Sequence, residues 1–180
     1  MSAADEQAPG PTLSEITDSS AFERLIEVTF LSDLLQEMWF ARDRALDVMH
    51  STVDAFGYDL VLQSQDLIRH VQLKAVRRGG GTSSWNLSTK LMDLPSACAI
   101  VIEWVPNDHR RVDLSYRFFG TTPGQAIPDL GGRVAKHSRA NAEGVKGLRP
   151  GLRVVTKSRF APMANIADLA DHLFGSHGGR

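Results

Sequence analysis

The sequence predicts an α/β fold in which a mixed β-sheet is flanked by helices. Three observations support this class. Apolar residues recur every three or four positions over residues 21–42, as they do in a helix packed against a core. Two pairs of short apolar or alternating segments, within 58–76 and 97–119, have the pattern of β-hairpins. A second helical pattern lies near the C-terminus, over residues 165–175.

Length and composition indicate one ordinary domain. The chain has 180 residues, 42% of them apolar, and a single cysteine, which excludes an internal disulfide framework. We expect the domain over residues 21–175, after a disordered lead-in at 1–20 and before a flexible tail at 176–180. No apolar run approaches the ~18 residues that cross a bilayer, and residues 1–20 lack the features of a signal peptide. We therefore expect a cytoplasmic protein with no membrane partner.

The net charge of −1 conceals two halves of opposite sign. Residues 1–66 carry a net charge of −10, residues 67–160 carry +10, and the remainder carries −1. A basic surface can attract a phosphate backbone while acids elsewhere keep a protein in solution. The alternative is that the two halves interleave on folding and neutralise each other.

The first helix is predicted from residue 21 to about residue 42. A short strand follows over 46–53, and residues 54–57 contain turn formers, Asp54 among them. Segments 58–63 and 68–76 then form the first predicted hairpin. Their short connection, 64–66, is polar.

The second half of the chain continues this alternation. Residues 77–84 form a glycine-rich basic loop, and 97–105 and 112–119 form the second predicted hairpin. A long loop is expected over 121–133 and a short helix within 133–149. A strand is expected over 152–156. Asn165 can cap the last helix and Gly175 can end it.

One acid and two polar residues on neighbouring predicted strands form the sharpest pattern. Asp59 lies among apolar residues in the sequence GYDLVL, where a carboxylate is costly unless it is paired, exposed or bound to a cation. On the partner strand, the period of two places Gln72 and Lys74 on one face. A hairpin would therefore bring a carboxylate, an amide oxygen and an ammonium group together. These groups suit metal-assisted phosphodiester hydrolysis, with oxygen ligands for Mg²⁺ and a lysine near the phosphate.

Asp59 followed by Gln72-x-Lys74 resembles the core motif of the PD-(D/E)XK nuclease superfamily, an Asp on one strand and Glu/Gln-x-Lys on the next. The resemblance covers about residues 22–76, and the Gln is similar to that of Mrr-type relatives. It implies a restriction-endonuclease-like core and a Mg²⁺-dependent endonuclease, with Mn²⁺ as an alternative ion. Nucleic acid would be the substrate, with DNA favoured over RNA. A homodimer is a further expectation.

The same resemblance implies an acid on the preceding helix that completes the metal site. In the Holliday-junction-resolvase type, this Glu is followed by apolar residues at three- to four-residue spacing. Glu27 is similar to that position, and Glu23 and Glu37 compete with it. The implied metal ligands are thus Asp59, Gln72 and Glu27, with Lys74 as the fourth catalytic residue.

Basic residues after the motif are candidates for contacting nucleic acid. Nine Lys, Arg and His residues fall within 133–159, which contains one acid, Glu143. The candidates are Arg77, Arg78, Arg133, Lys136, Arg139, Lys146 and Arg149. A solvated basic face and a flexible hairpin tip at 77–84 are the alternatives.

Other chemistries find little support. The six histidines lack paired spacing for zinc, no G-x-S-x-G or G-x-G-x-x-G motif occurs, and Cys98 lies within an apolar strand pattern. Two alternatives to a nuclease stay open. Asp59 and Lys74 can form an ordinary ion pair, and the chain can be a catalytically inactive nuclease-fold module that binds nucleic acid or protein.

Overall fold

The computed structural model describes residues 20–53, 55–109, 111–139, 144 and 146–176. The predicted lead-in and tail, together with Asp54 and Glu143, therefore lie almost wholly outside the described residues. Within the described parts, no helix has the length and apolarity needed to span a lipid bilayer. The predicted class is confirmed at the level of a mixed α/β architecture, which in the described part of the chain has two sheets and two α-helices.

The N-terminal helix α1 spans Ser20–Gln36 and continues into a single π-helical turn at Glu37–Ala41. Ile26, Phe30 and Leu34 are fully buried, as their spacing predicts. The π turn ends the helix one residue before the predicted boundary. The second helix, α2, spans Ile166–Phe174, and the Asn165 side chain accepts a hydrogen bond from the Asp168 amide at 2.9 Å, which confirms the predicted cap.

Among the described residues, nine strands form two sheets. In chain order they are β1 (Asp47–His50), β2 (Leu60–Ser64), β3 (Leu67–Arg77), β4 (Ser84–Ser88), β5 (Ala97–Pro106), β6 (Val112–Gly120), β7 (Val134–Lys136), β8 (Leu148–Thr156) and β9 (Ala161–Met163). The large sheet has the order β1-β2-β3-β5-β6-β9, with β3 and β5 parallel and the other pairs antiparallel. The small sheet has the antiparallel order β4-β8-β7.

The large sheet separates two cores. Its helix-side core packs one face against α1 and α2, and its sheet-side core packs the other face against the small sheet. Alternation along β3 produces this division, because Val71 and Leu73 belong to the helix side and Val76 to the sheet side. Cys98 lies in the helix-side core, where complete burial raises the pKa of its thiol to about 12.

Both predicted hairpins are present, β2–β3 and β5–β6. The short helix predicted within 133–149 is wrong for the described residues, where the chain instead forms β7 and the start of β8. Strands β4 and β9 were not predicted. Strand β9 has only three residues, too few for a periodic signal, and β4 alternates polar and apolar residues over only five positions directly after the glycine-rich segment.

An ion cluster around the buried Glu103 links the two sheets. The Glu103 carboxylate on β5 accepts hydrogen bonds from Lys157 Nζ at 2.5 Å and Arg117 Nε at 3.1 Å. Lys157 follows β8, and its backbone amide donates to the Ser83 carbonyl beside β4. Burial alone would raise the pKa of Glu103, but the bonds and charges from Lys157 and Arg117 outweigh it and hold that pKa below its ordinary value.

Arg69 on β3 is fully buried and closes the C-terminal end of α2. Its guanidinium donates to the backbone carbonyls of Leu173 at 2.8 Å, His172 at 2.5 Å and Thr121 at 2.8 Å. The carbonyls of His172 and Leu173, in the last turn of α2, would otherwise lack partners within the helix. Arg69 belongs to the basic half of the sequence, but it contributes no surface charge.

Candidate functional site

Asp59 lies directly before β2, where its side chain replaces one rung of the β-ladder. Leu60 pairs with Val71 in the register of β2 and β3. One residue earlier, the Asp59 amide donates to the Val71 carbonyl at 2.9 Å, and Asp59 Oδ2 accepts from the Leu73 amide at 2.7 Å. The carboxylate is thereby held at the exposed end of the hairpin, against β3.

A glycine two residues earlier fixes the turn that presents this acid. Gly57 has φ +81°, and a Cβ at this position would lie 2.3 Å from Ser88 Oγ. A side chain is therefore excluded both by backbone conformation and by the approach of β4. The Gly in the sequence GYDLVL joins the Asp59 turn closely to the end of β4.

Gln72 and Lys74 project from the β3 face that carries the small sheet. Gln72 is buried, and its Oε1 accepts a hydrogen bond from the Ser88 amide at 3.1 Å. Lys74 is half-buried two residues further along. Gln72 Oε1 thus already binds the end of β4, and the same oxygen retains a second lone pair that can accept another bond.

A groove between the large and small sheets brings the three residues together. Its volume is about 990 Å³. The charged and polar side chains among its lining residues include Asp59, Gln72, Lys74, Lys90, His137 and Arg149. The predicted placement of Asp59, Gln72 and Lys74 at one site agrees with this geometry, because all three line the same space.

A smaller pocket of about 320 Å³ joins Asp59 and Lys74 to α1. Glu23 and Glu27 line it, and both come from the first two turns of the helix. Glu37, the third helix acid considered, instead pairs with the buried Arg42, with 2.9 Å between Oε1 and Nε. The structure therefore places Glu23 and Glu27, but not Glu37, beside Asp59.

Glu27 has two partners of its own. Its carboxylate pairs with Arg24 one turn earlier, and His50 Nε2 lies 2.8 Å from Glu27 Oε1. His50 ends β1, and the next amide, that of Ser51, donates to the Asp59 carbonyl. Sequence reasoning missed His50 because it depends on pairing between β1 and β2, which brings the strand end to α1.

The described oxygen donors near Asp59 come from carboxylates and an amide, not from a cluster of acids and histidines. Among the described residues, no group of three or more His, Cys, Asp and Glu side chains is arranged to hold a metal ion. An ion here would depend on carboxylates from two elements and on the Gln72 amide oxygen. All three are hard oxygen donors, so their chemistry suits Mg²⁺ or Mn²⁺ rather than a soft metal.

Only part of the predicted basic set borders the groove. Arg149 lines it, and Lys90 and His137, which were not among the predicted contacts, line it too. Arg77 lies 5.8 Å from the centre of the Trp104 ring, on β5. The other predicted cations are exposed but are not among the described lining residues: Arg78, Arg133, Lys136, Arg139 and Lys146.

Several further cations of the basic segment have internal partners. Arg153 donates to the Pro150 carbonyl at 2.7 Å, Lys157 binds Glu103, and the Arg159 guanidinium lies 4.9 Å from the centre of the Phe119 ring. The one ion pair among these contacts, Lys157–Glu103, lies wholly within residues 67–160, so it does not join the two oppositely charged halves. The positive charge of the groove comes from the cations that line it, Lys74, Lys90 and Arg149. Sequence reasoning missed Lys90, because no local pattern shows that the end of β4 lies beside Asp59.

Comparisons with protein-family models, curated proteins and solved structures found no significant match. The site must therefore be interpreted from its own geometry.

Proposed function

We propose that this chain is a metal-dependent nuclease of the PD-(D/E)XK type that hydrolyses phosphodiester bonds in nucleic acid, with DNA as a more favoured substrate than RNA. One observation carries the proposal. Asp59, Gln72 and Lys74 line a single groove, and Asp59 and Lys74 also share a pocket with acids of α1. A restriction-endonuclease-like core is part of this proposal, supported by the antiparallel β2–β3 hairpin and the parallel β3–β5 pair.

In this proposal, Asp59, Gln72 and Glu27 hold Mg²⁺ or Mn²⁺. When bound, the ion supplies positive charge that activates water and stabilises charge on the phosphate. Lys74 adds an ammonium group beside the scissile phosphate, where it stabilises the negative charge that develops during attack. The Leu73 amide orients the Asp59 carboxylate through the 2.7 Å hydrogen bond.

The groove also offers phosphate contacts away from the reacting bond. Arg149 and Lys90 both line it, and Lys90 is held by a bond from its ammonium group to the Ala55 carbonyl. Cations at such positions fix the register of a nucleic-acid backbone without reading its sequence. Their contribution to affinity falls as the salt concentration rises.

The direct test is cleavage of supercoiled plasmid DNA and of single-stranded RNA in Mg²⁺, Mn²⁺ or EDTA. We expect nicking of DNA that requires the metal and falls by at least about 100-fold in Asp59→Asn and in Lys74→Met. Asp66→Asn and Arg111→Met, both at exposed turns, are matched controls and retain cleavage. Cleavage that survives both site variants, or that persists in EDTA, would contradict the assignment.

A second candidate, nucleic-acid binding without turnover, is favoured by one observation. The Gln72 oxygen already accepts the Ser88 amide, and a glutamine supplies one negative charge fewer than the glutamate more usual at this position. This candidate predicts salt-dependent binding that Arg149→Ala weakens, with no cleavage in either metal. A binding curve and a cleavage assay on the same preparation distinguish the two functions.

A further inference from the structure

The outward face of α1 is apolar and uncovered. Leu25 is 50% exposed, Val28 48% and Leu35 37%, and the π turn exposes Trp39 at 62% and Phe40 at 82%. Singly scattered apolar residues are normal on protein surfaces, whereas a contiguous patch marks an interaction site. These five residues are the α1 patch.

The spacing within the α1 patch is that of a helix-pairing seam. Residues 25, 28, 32, 35 and 39 recur at alternating steps of three and four, and only Ser32 among them is polar. A shallow groove of about 340 Å³ runs along the seam beside Val28 and Leu35. Because Ile26, Phe30 and Leu34 already bury the opposite face, α1 has one apolar face more than the fold itself uses.

We infer that a second copy of this chain covers the α1 patch, with the two helices antiparallel about a two-fold axis near residue 30. In this register Leu25 packs on the partner's Leu35, and Val28 packs on the partner's Ser32. Ala21 lies opposite the partner's Trp39. Trp39 and Val28 therefore face small residues, while the two leucines face each other, and this arrangement permits close packing.

Charge favours a second copy over the other occupants. The α1 patch contains no charged residue, so it matches its own copy, and antiparallel helices place opposite dipole ends together. Residues 1–19 carry four acids, no Lys or Arg, and only Leu13 and Ile16 as large branched aliphatics, so their composition offers few apolar side chains to this seam.

The size of the α1 patch is also adequate. With about 150–250 Å² for each aromatic side chain and somewhat less for each aliphatic one, its exposed parts amount to roughly 500 Å² per copy. Two copies reach about 1,000 Å², the lower bound for a specific interface. The described residues that line the groove include none from α1, so the dimer leaves it open. The inference does not depend on the proposed function.

The first test is the mass of the full chain in solution by light scattering and analytical ultracentrifugation. The chain has a mass of 19.7 kDa, and we expect twice this value. Val28→Glu and Leu35→Glu should each weaken dimerisation by at least about 100-fold, because each places two carboxylates in an apolar seam. Ile68→Glu, a matched change at a 41% exposed residue of β3, should leave the dimer intact. Circular dichroism checks that each variant is folded.

The second test fixes the register. An oxidised mixture of Leu25→Cys and Leu35→Cys proteins should form a crosslinked heterodimer, whereas either protein alone should not, and the buried Cys98 should stay unreacted. A monomeric wild-type chain would overturn the inference and leave the α1 patch to a different partner. A dimer that persists in both Glu variants would place the interface elsewhere. Crosslinking of either single variant alone would overturn the antiparallel register.

Discussion

The Asp59 carboxylate accepts a hydrogen bond from the Leu73 backbone amide at 2.7 Å, while the Asp59 amide donates to the Val71 carbonyl at 2.9 Å. One acid therefore completes a β-ladder and faces the groove that also contains Lys74. A structural role and the proposed catalytic role therefore fall on a single side chain. Variants at this position can separate the two.

Asp59→Asn retains a side-chain oxygen that can accept the Leu73 amide, whereas Asp59→Ala removes it. We expect Asp59→Ala to lower the free energy of unfolding by about 0.5–1.5 kcal/mol and Asp59→Asn by less. If the proposed function holds, both variants lose metal-dependent cleavage. Urea denaturation measures the first effect and the plasmid assay the second. Equal destabilisation by the two changes would contradict the role assigned to the hydrogen bond.

If the groove binds nucleic acid as proposed, Arg149→Ala should weaken this binding in a salt-dependent manner, because Arg149 lines the groove. The logarithm of the binding constant falls with the logarithm of the salt concentration, and losing one phosphate contact makes this fall less steep by about 0.7–0.9. Arg111→Ala, which removes the same charge from an exposed turn, is the matched control. Fluorescence anisotropy with a short labelled DNA over a range of salt concentrations measures both slopes. Identical slopes in the two variants would exclude a groove contact by Arg149.

Arg69→Met should strongly destabilise the fold, because it leaves buried carbonyls of α2 without their donor. We expect a loss of about 3 kcal/mol in the free energy of unfolding, with partial recovery in Arg69→Lys, which restores the charge but not the fork of donors. Thermal and urea unfolding measure this loss. Stability within about 0.5 kcal/mol of the wild type would contradict the proposed closing of the helix.

Glu103→Gln should change how stability depends on pH. The pKa of Glu103 in the folded protein lies below its ordinary value of 4.5. The ionised carboxylate therefore stabilises the fold fully above about pH 4.5, and this stabilisation is lost as the pH falls through the pKa of the folded state. The wild type should therefore exceed Glu103→Gln in stability at neutral pH, and the gap should narrow below about pH 4.5. Urea unfolding at several pH values measures the gap. Asp66→Asn, at an exposed turn, is the matched control, and a gap that stays constant would contradict the prediction.

Local patterns were enough to predict α1, both hairpins and the α2 cap. Helix spacing in α1, alternation in β3 and the capping role of Asn165 are properties of neighbouring residues, which explains why they can be recognised in one sequence. Alternation also put Gln72 and Lys74 on one face of β3. It could not distinguish Glu23, Glu27 and Glu37, because that choice depends on how α1 lies on the sheet.

Sequence alone determined the α/β class and the grouping of Asp59, Gln72 and Lys74, since both follow from short-range periodicity. Tertiary structure alone decided that β4 and β8 pair, that Lys90 and Arg149 border the groove, and that Arg69 is buried. These facts depend on contacts between residues far apart in the chain. The free energy of such contacts comes from burial and pairing that no local pattern encodes.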